Sequence, residues 1–182
     1  DEPTIAAVAE GLAGTALPII LDPVMVAKGS APLLAPAAIG ALRSRLLPLA
    51  ALVTPNLPEL ALLTGAEIGS AKGLQAAAGR LLESGVAAVL AKGGHLPGDD
   101  LTDWLLTRHD AEAFRGKRIA TRHTHGTGCT MASAVAAGIA QGMDLSAAVA
   151  RAHAFVRAAI LAAPGLGEGH GPLGHHAVRN LA

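Results

Sequence analysis

Residues 123–130 read HTHGTGCT and hold the chain's single cysteine, Cys129, directly ahead of the small-residue run MASAVAAGIA. That run has helical spacing, so the glycines stand at a helix entrance. A helix entrance leaves its first N–H groups without internal partners and carries partial positive charge. Glycine there lets the backbone approach an anion with no Cβ in the way. Gly126, Thr127 and Gly128 therefore form a candidate anion cradle, of the kind that stabilises charge on a phosphoryl group during transfer. A thiol at the same entrance is expected to favour thiolate, and a thiolate beside a phosphate can take the proton of an attacking hydroxyl. Plain packing is the alternative. Glycine-rich helix starts are common, and an isolated cysteine often serves as a small hydrophobe. The turn alone leaves both readings open.

Two further stretches carry oxygen ligands. TPNLPE, 54–59, sets Asn56 and Glu59 three apart at a helix start, where both oxygens can face one point and suit Mg²⁺, often through water. The same spacing is that of ordinary helix capping, with Asn56 as N-cap and Glu59 answering it. ILDPVMVAKGS, 20–30, ends an apolar run at Asp22. Open α/β sheets bind ligands at the carboxyl ends of their strands, so Asp22 either holds a metal or water there or caps the turn before Pro23.

The elements that must position these residues follow from periodicity. ALPIIL (16–21) reads as a buried strand, ALV (51–53) as a short strand, and VAAVLAKGG (86–94) as a strand running into a glycine turn. Residues 36–47 place Ile39, Leu42, Leu46 and Leu47 on one helical face, with Pro36 in the first turn. Residues 56–65 form a short helix between Asn56 and Gly65, and 70–84 form another. Residues 103–108 and 111–117 make an antiparallel hairpin around His109-Asp110. Helices follow over about 127–141 and 145–162, the second with Leu145, Val149, Val156 and Ile160 in register and Ser146 near its start. The tail PGLGEGHGPLGHH is loop-like. Strands alternating with helices imply parallel βαβ units in one α/β domain spanning 1–182.

Composition narrows the function. Fourteen basic and fourteen acidic residues cancel, and the only aromatics besides histidine are Phe114, Phe155 and Trp104. No basic run and no stacking platform indicate nucleic acid. No apolar segment reaches membrane-spanning length, and DEPTIAAVAEG lacks the basic leader of a signal peptide. One cysteine makes no internal disulfide, which fits a cytoplasmic location.

LDPVMVAKGSAPLL, VTPNLPE, LAKGGH, THGTGCT and GHGP occur in the order, and at about the separations, found in the bacterial hydroxymethylpyrimidine/phosphomethylpyrimidine kinases. The chain resembles that ribokinase-like family from near its first residue to about residue 176. THGTGCT with GHGP is specific to this kinase group, whereas NLPE marks only the superfamily. The resemblance implies a layered α/β/α sandwich with a mostly parallel central sheet. It implies ATP-dependent phosphorylation, with Mg²⁺, of 4-amino-5-hydroxymethyl-2-methylpyrimidine and then of its monophosphate. The turn Gly126, Thr127, Gly128 matches the family's anion hole, and Cys129 falls where most ribokinase-like enzymes place a catalytic aspartate. Asn56 and Glu59 match the motif that organises Mg²⁺ and the nucleotide phosphates, and Lys92 and Thr124 match nucleotide-binding positions. Asp22 matches a metal-side position. Val24 and Met25 match the family's stretch between metal and pyrimidine, and His170 with Gly171 match its tail loop closing over the site. A homodimer is the family's usual state.

Two departures stand out. The family's opening strand, its GTDPSGGAGI-like segment and a glutamine-containing pyrimidine-gripping stretch are absent, so the chain reads as the catalytic and nucleotide-binding portion with its N-terminal strands missing. Lys28-Gly29-Ser30 replaces the more usual Lys-Ser-Gly. Rival readings are a pyridoxal kinase, a noncatalytic nucleotide-binding module, and a zinc site from His123, His125, His175 and His176, whose spacing is not that of a recognised structural site.

Overall fold

The computed structural model describes residues 1–26 and 32–179, so the Lys28-Gly29-Ser30 turn lies outside the described residues. The chain divides into two compact units, Asp1–Arg115 and Gly116–Ala182.

In the first unit Asp1 caps helix α1 (Glu2–Leu12), its carboxylate accepting from Thr4 N–H at 3.0 Å. A five-stranded sheet follows in the spatial order β1 (Ile20–Leu21), β2 (Leu52–Val53), β3 (Ala88–Ala91), β4 (Asp100–Thr107), β5 (Ala111–Lys117). The first three strands run parallel, with Ile20 opposite Leu52 and Val53 opposite Val89. β3 and β4 are antiparallel, from Ala88 opposite Thr107 to Ala91 opposite Trp104. The sheet is thus mixed, a parallel half carrying the expected hairpin on its flank. β2 and β3 are buried at every position and read as continuous apolar runs, as parallel strands covered on both faces must.

Strand lengths differ from the sequence expectation. The 16–21 run contributes only Ile20–Leu21 to the ladder. Pro18 has no N–H to give a sheet, and Leu17 stands exposed. The 36–47 helix is also not uniform. It is α-helical as α2 (Pro36–Ala41), widens to π over Leu42–Leu46, and tightens to 3₁₀ over Leu47–Leu49. The wide turn, with Leu47 N–H reaching Leu42 O, immediately precedes Pro48, which cannot continue an α ladder. Leu42, Leu46 and Leu47 are nonetheless buried together.

Helix α3 (Leu57–Thr64) begins at Asn56 and ends at Gly65, whose φ of 66° is the left-handed stop that glycine takes without strain. Helix α4 (Ala71–Glu83) is capped by Ser70. Leu60 and Leu63 of α3 and Leu74, Ala78 and Leu81 of α4 close the core with Val53, Val86 and Val89. Truncating one of these leucines to alanine costs about 2–5 kcal/mol.

In the second unit helices α5 (Thr127–Ala140) and α6 (Leu145–Leu161) pack on each other. The cap of α6 is Asp144, which accepts from Ala147 N–H at 2.8 Å, and Ser146 stands near the helix start as expected. Val149 and Val156 are buried as their spacing requires. The tail is loop except for a 3₁₀ turn at His175–Ala177, and Gly174 N–H returns to Ala159 O at 2.8 Å. Among the described residues no helix is long and apolar enough to cross a membrane.

Candidate active site

The parallel strands of the first unit deliver their carboxyl ends side by side, and the candidate residues sit there. Asp22 follows β1, Thr54 follows β2, and Lys92 follows β3. Asp22 Oδ1 accepts from Thr54 Oγ1 at 2.9 Å and from Lys92 Nζ at 3.1 Å. Both members of this ion pair are shielded, with 13% and 14% of their side-chain surface exposed. At such depth, removing either partner strands a charge. Lys92 is fixed from its backbone as well. Its N–H donates to Pro55 O at 3.0 Å, and it bridges to Asn56 in parallel register.

Asn56 and Glu59 form the full reciprocal capping box. Asn56 Oδ1 accepts from Glu59 N–H at 3.0 Å, and Glu59 Oε2 accepts from Asn56 N–H at 2.7 Å. The capping alternative is therefore realised. Each residue offers one oxygen to the other's amide. Glu59 is only 3% exposed. Burial pushes its carboxyl above the ordinary 4.5, and Asp22's charge pushes the same way, while Asn56 N–H, the Lys92 ammonium and Met25 N–H pull it back. Two carboxylates held near one ammonium, one of them disfavoured as an anion, make a site that an added cation would relieve. This oxygen donor set is of the kind that suits Mg²⁺, and Asp22 and Glu59 are the residues that would hold it.

Met25 itself is core. It is 1% exposed, and what it offers this cluster is its backbone N–H. Val24 beside it is 43% exposed.

The second unit holds the glycine turn. Gly126 is the N-cap of α5 with φ 85°, a left-handed geometry that L side chains rarely adopt. Helices α1, α3, α4 and α6 are each capped by a side chain, whereas α5 opens with none. Thr127 N–H turns back to Thr124 O at 3.5 Å, so the entrance is closed by backbone and not by a side chain. Thr127 stiffens the entrance, its Oγ1 donating to Thr124 O at 2.8 Å. Cys129 lies in this first turn and is exposed. It borders an open groove of about 560 Å³ between α5 and α6, shared with Thr130, Ser133, Phe155 and His175.

The tail reaches this entrance. His125 N–H donates to Gly171 O at 3.2 Å, and His170 Nδ1 lies 3.1 Å from Arg122 O. Arg122 in turn donates to Gly167 O and Glu168 O, each at 3.1 Å. His175 Nε2 sits 2.8 Å from Thr130 Oγ1 and its ring stacks on Phe155. Among the described residues no group of three histidine, cysteine or carboxylate side chains could hold a metal.

Thr54, Arg122 and Thr130 were not singled out by sequence, and His175 only as a candidate zinc ligand, not as a partner of Thr130. Thr54 had a signal available, because it ends the second parallel strand as Asp22 ends the first. Arg122 had none, since its partners Gly167 and Glu168 lie in the irregular tail, and the Thr130–His175 contact had none, since His175 itself comes from that tail.

The Phosphomethylpyrimidine kinase family model matches residues 1–174. A hydroxymethylpyrimidine/phosphomethylpyrimidine kinase of Rhizobium meliloti is 46% identical over 175 residues, 94% of this chain and 66% of its own length. One from Streptomyces coelicolor is 47% identical, over 92% of this chain and 62% of its own. Among solved structures, the ADP complex of Bacillus subtilis pyridoxal kinase superposes with a TM-score of 0.89 at 34% identity, covering 97% of this chain and 67% of that one. The chain thus spans just under two-thirds of these two curated relatives. On the match over nearly its whole length, it belongs to the phosphomethylpyrimidine kinase family.

Proposed function

We propose that this chain carries the nucleotide-binding and phosphoryl-transfer portion of a hydroxymethylpyrimidine/phosphomethylpyrimidine kinase. Its substrates would be ATP and 4-amino-5-hydroxymethyl-2-methylpyrimidine, and then the monophosphate of that pyrimidine. The observation that carries the reading is the entrance to α5, with a glycine turn that no side chain caps and an exposed cysteine in its first turn. The family match supplies the reaction class.

In this reading Lys92 binds nucleotide phosphate, held in place by Asp22 and Thr54. Asp22 and Glu59 would hold Mg²⁺. The metal when bound neutralises phosphate charge. Asn56 keeps Glu59 oriented through the capping box. The amides of Gly126, Thr127 and Gly128 receive the negative charge on the γ-phosphoryl oxygens. The substrate hydroxyl oxygen forms its bond to the γ-phosphorus as the bond to the ADP oxygen breaks, and the Cys129 thiolate takes the hydroxyl proton. Thr124 supports this entrance by accepting from Thr127. Val24 contributes exposed apolar surface toward the pyrimidine, and His170 is a candidate substrate contact from the tail. In the second phosphorylation the attacking phosphate oxygen is already ionised, so the base contributes less.

The test is turnover of both pyrimidines by Cys129→Ala. Selective loss of the first step supports the assignment, and equal losses in both steps count against it. Pyridoxal kinase activity is the second reading. It is favoured by the higher TM-score to the pyridoxal kinase of B. subtilis (0.89) than to the phosphomethylpyrimidine kinase of Clostridium difficile (0.75). Assaying pyridoxal beside the pyrimidines separates the two.

A further inference from the structure

β3 and β4 stay in register only as far as Ala91 opposite Trp104. At the next residue the chain leaves that ladder. Lys92 turns its N–H to Pro55 and bridges to Asn56 on the opposite side. Two glycines, Gly93 and Gly94, follow, which would leave the lysine's anchorage slack. The slack is removed by a side chain. Asp103 Oδ1, from the middle of β4, accepts from Gly93 N–H at 2.8 Å in a part-buried bond. The backbone there is pressed against β4 so closely that a Cβ on Gly93 would lie 2.1 Å from Thr102 O. The residue after the lysine is thus tied to β4, while the lysine itself is tied to the segment before α3.

We infer that Asp103 is a positioning residue for Lys92: by gripping the Gly93 amide it sets the direction in which the lysine leaves β3, and so the placement of its ammonium on Asp22. The inference rests on the reading of Lys92 as a nucleotide-phosphate ligand. The carboxylate serves as a hydrogen-bond acceptor, and its charge is not what the role requires. Asparagine keeps an acceptor oxygen at the same reach, and alanine does not.

The experiment compares Asp103→Asn and Asp103→Ala, each with Lys92 present and with Lys92→Ala, in the full chain. It reads MgATP affinity by calorimetry and Gly93 amide exchange by NMR. Asp103→Ala is expected to weaken MgATP about tenfold, the scale of one misplaced charge-assisted contact. Asp103→Asn should stay within about twofold of the parent, and Asp103→Ala should have no further effect once Lys92 is gone. Unchanged affinity in Asp103→Ala overturns the inference, as does an equal loss with and without Lys92. An asparagine variant as weak as alanine also overturns it, because the acceptor would then not be the cause. If the parent chain binds no MgATP, the phosphate reading of Lys92 fails and amide exchange decides the clamp alone. A Gly93 amide protected in the parent and in Asp103→Asn but exchanging freely in Asp103→Ala supports it, and equal exchange in all three overturns it.

Discussion

Lys92 Nζ lies 3.1 Å from Asp22 Oδ1, a contact between residues 70 apart in the chain that joins the carboxyl ends of two strands of one sheet. It is the electrostatic centre of the first unit's site. With both groups mostly shielded, it cannot be treated as a screened surface pair. Lys92→Ala is predicted to destabilise the chain by about 2–3 kcal/mol, because two carboxylates lose their counter-charge. Adding Asp22→Asn should recover part of that loss. Urea unfolding of the two single variants and the double variant gives the coupling, and strict additivity would show that the pair is not coupled.

Glu59 yields a pH prediction. Its folded carboxyl sits above the ordinary 4.5, chiefly through burial. The folded chain therefore holds a proton over a range where the unfolded chain has released it. That contribution to stability is present below 4.5 and is lost as pH rises through the elevated folded value. Glu59→Gln keeps an acceptor for Asn56 N–H, so the capping box survives. The variant should be no less stable than the parent at pH 7, and its stability should depend less on pH just above 4.5. Its affinity for Mg²⁺-nucleotide should fall. Thermal unfolding across pH checks the first part and calorimetry the second.

Gly126→Ala tests the entrance to α5 by its backbone. A Cβ there meets nothing within 4 Å, so the penalty is conformational and comes from φ 85°. We expect a loss of about 1–2 kcal/mol, and a smaller one for Gly126→Asn, since asparagine tolerates the left-handed region better. Chemical denaturation of the two variants makes the comparison. Equal stability of alanine variant and parent would mean that the turn is not held left-handed in solution.

Local features of this fold were legible because their causes are local. Asn56, Glu59 and Gly65 mark both ends of α3 within ten residues of sequence, and the structure realises each mark. The β4–β5 hairpin and the α5 start followed from turn residues in the same way. The strand extent was overread at 16–21, whereas at 86–94 the ladder takes Ala88–Ala91 ahead of the expected glycine turn. An apolar run suggests burial, but Leu17 is exposed and Pro18 has no N–H to pair, so the run outlasts the ladder. The π segment at Leu42–Leu46 leaves no mark in the apolar spacing, because the same leucines face inward in either helix. The pattern NxxE could not say by itself whether its oxygens meet a metal or each other's amides, and the structure gives one oxygen of each residue to the other's amide. Contacts such as Thr54 with Asp22, or Arg122 with the tail, depend on strand order and loop path and have no periodicity to betray them.

Cys129→Ala separates base chemistry from packing. The side chain is exposed, so its removal leaves no core cavity and should change stability by less than about 0.5 kcal/mol. The first phosphorylation should slow by about 10²–10⁴-fold, the usual worth of a positioned general base. The second should slow much less. Single-turnover assays on the alcohol and on its monophosphate read the ratio.

The central claim is that the amides opening α5 receive the phosphoryl group. The direct measurement is ¹⁵N–¹H NMR of the labelled chain titrated with Mg²⁺ and a non-hydrolysable ATP analogue. The account predicts that the Gly126, Thr127 and Gly128 amides shift in a saturable manner together with Lys92, and that Lys92→Ala weakens the titration. Saturation that shifts residues elsewhere while those three amides keep their free positions would contradict it.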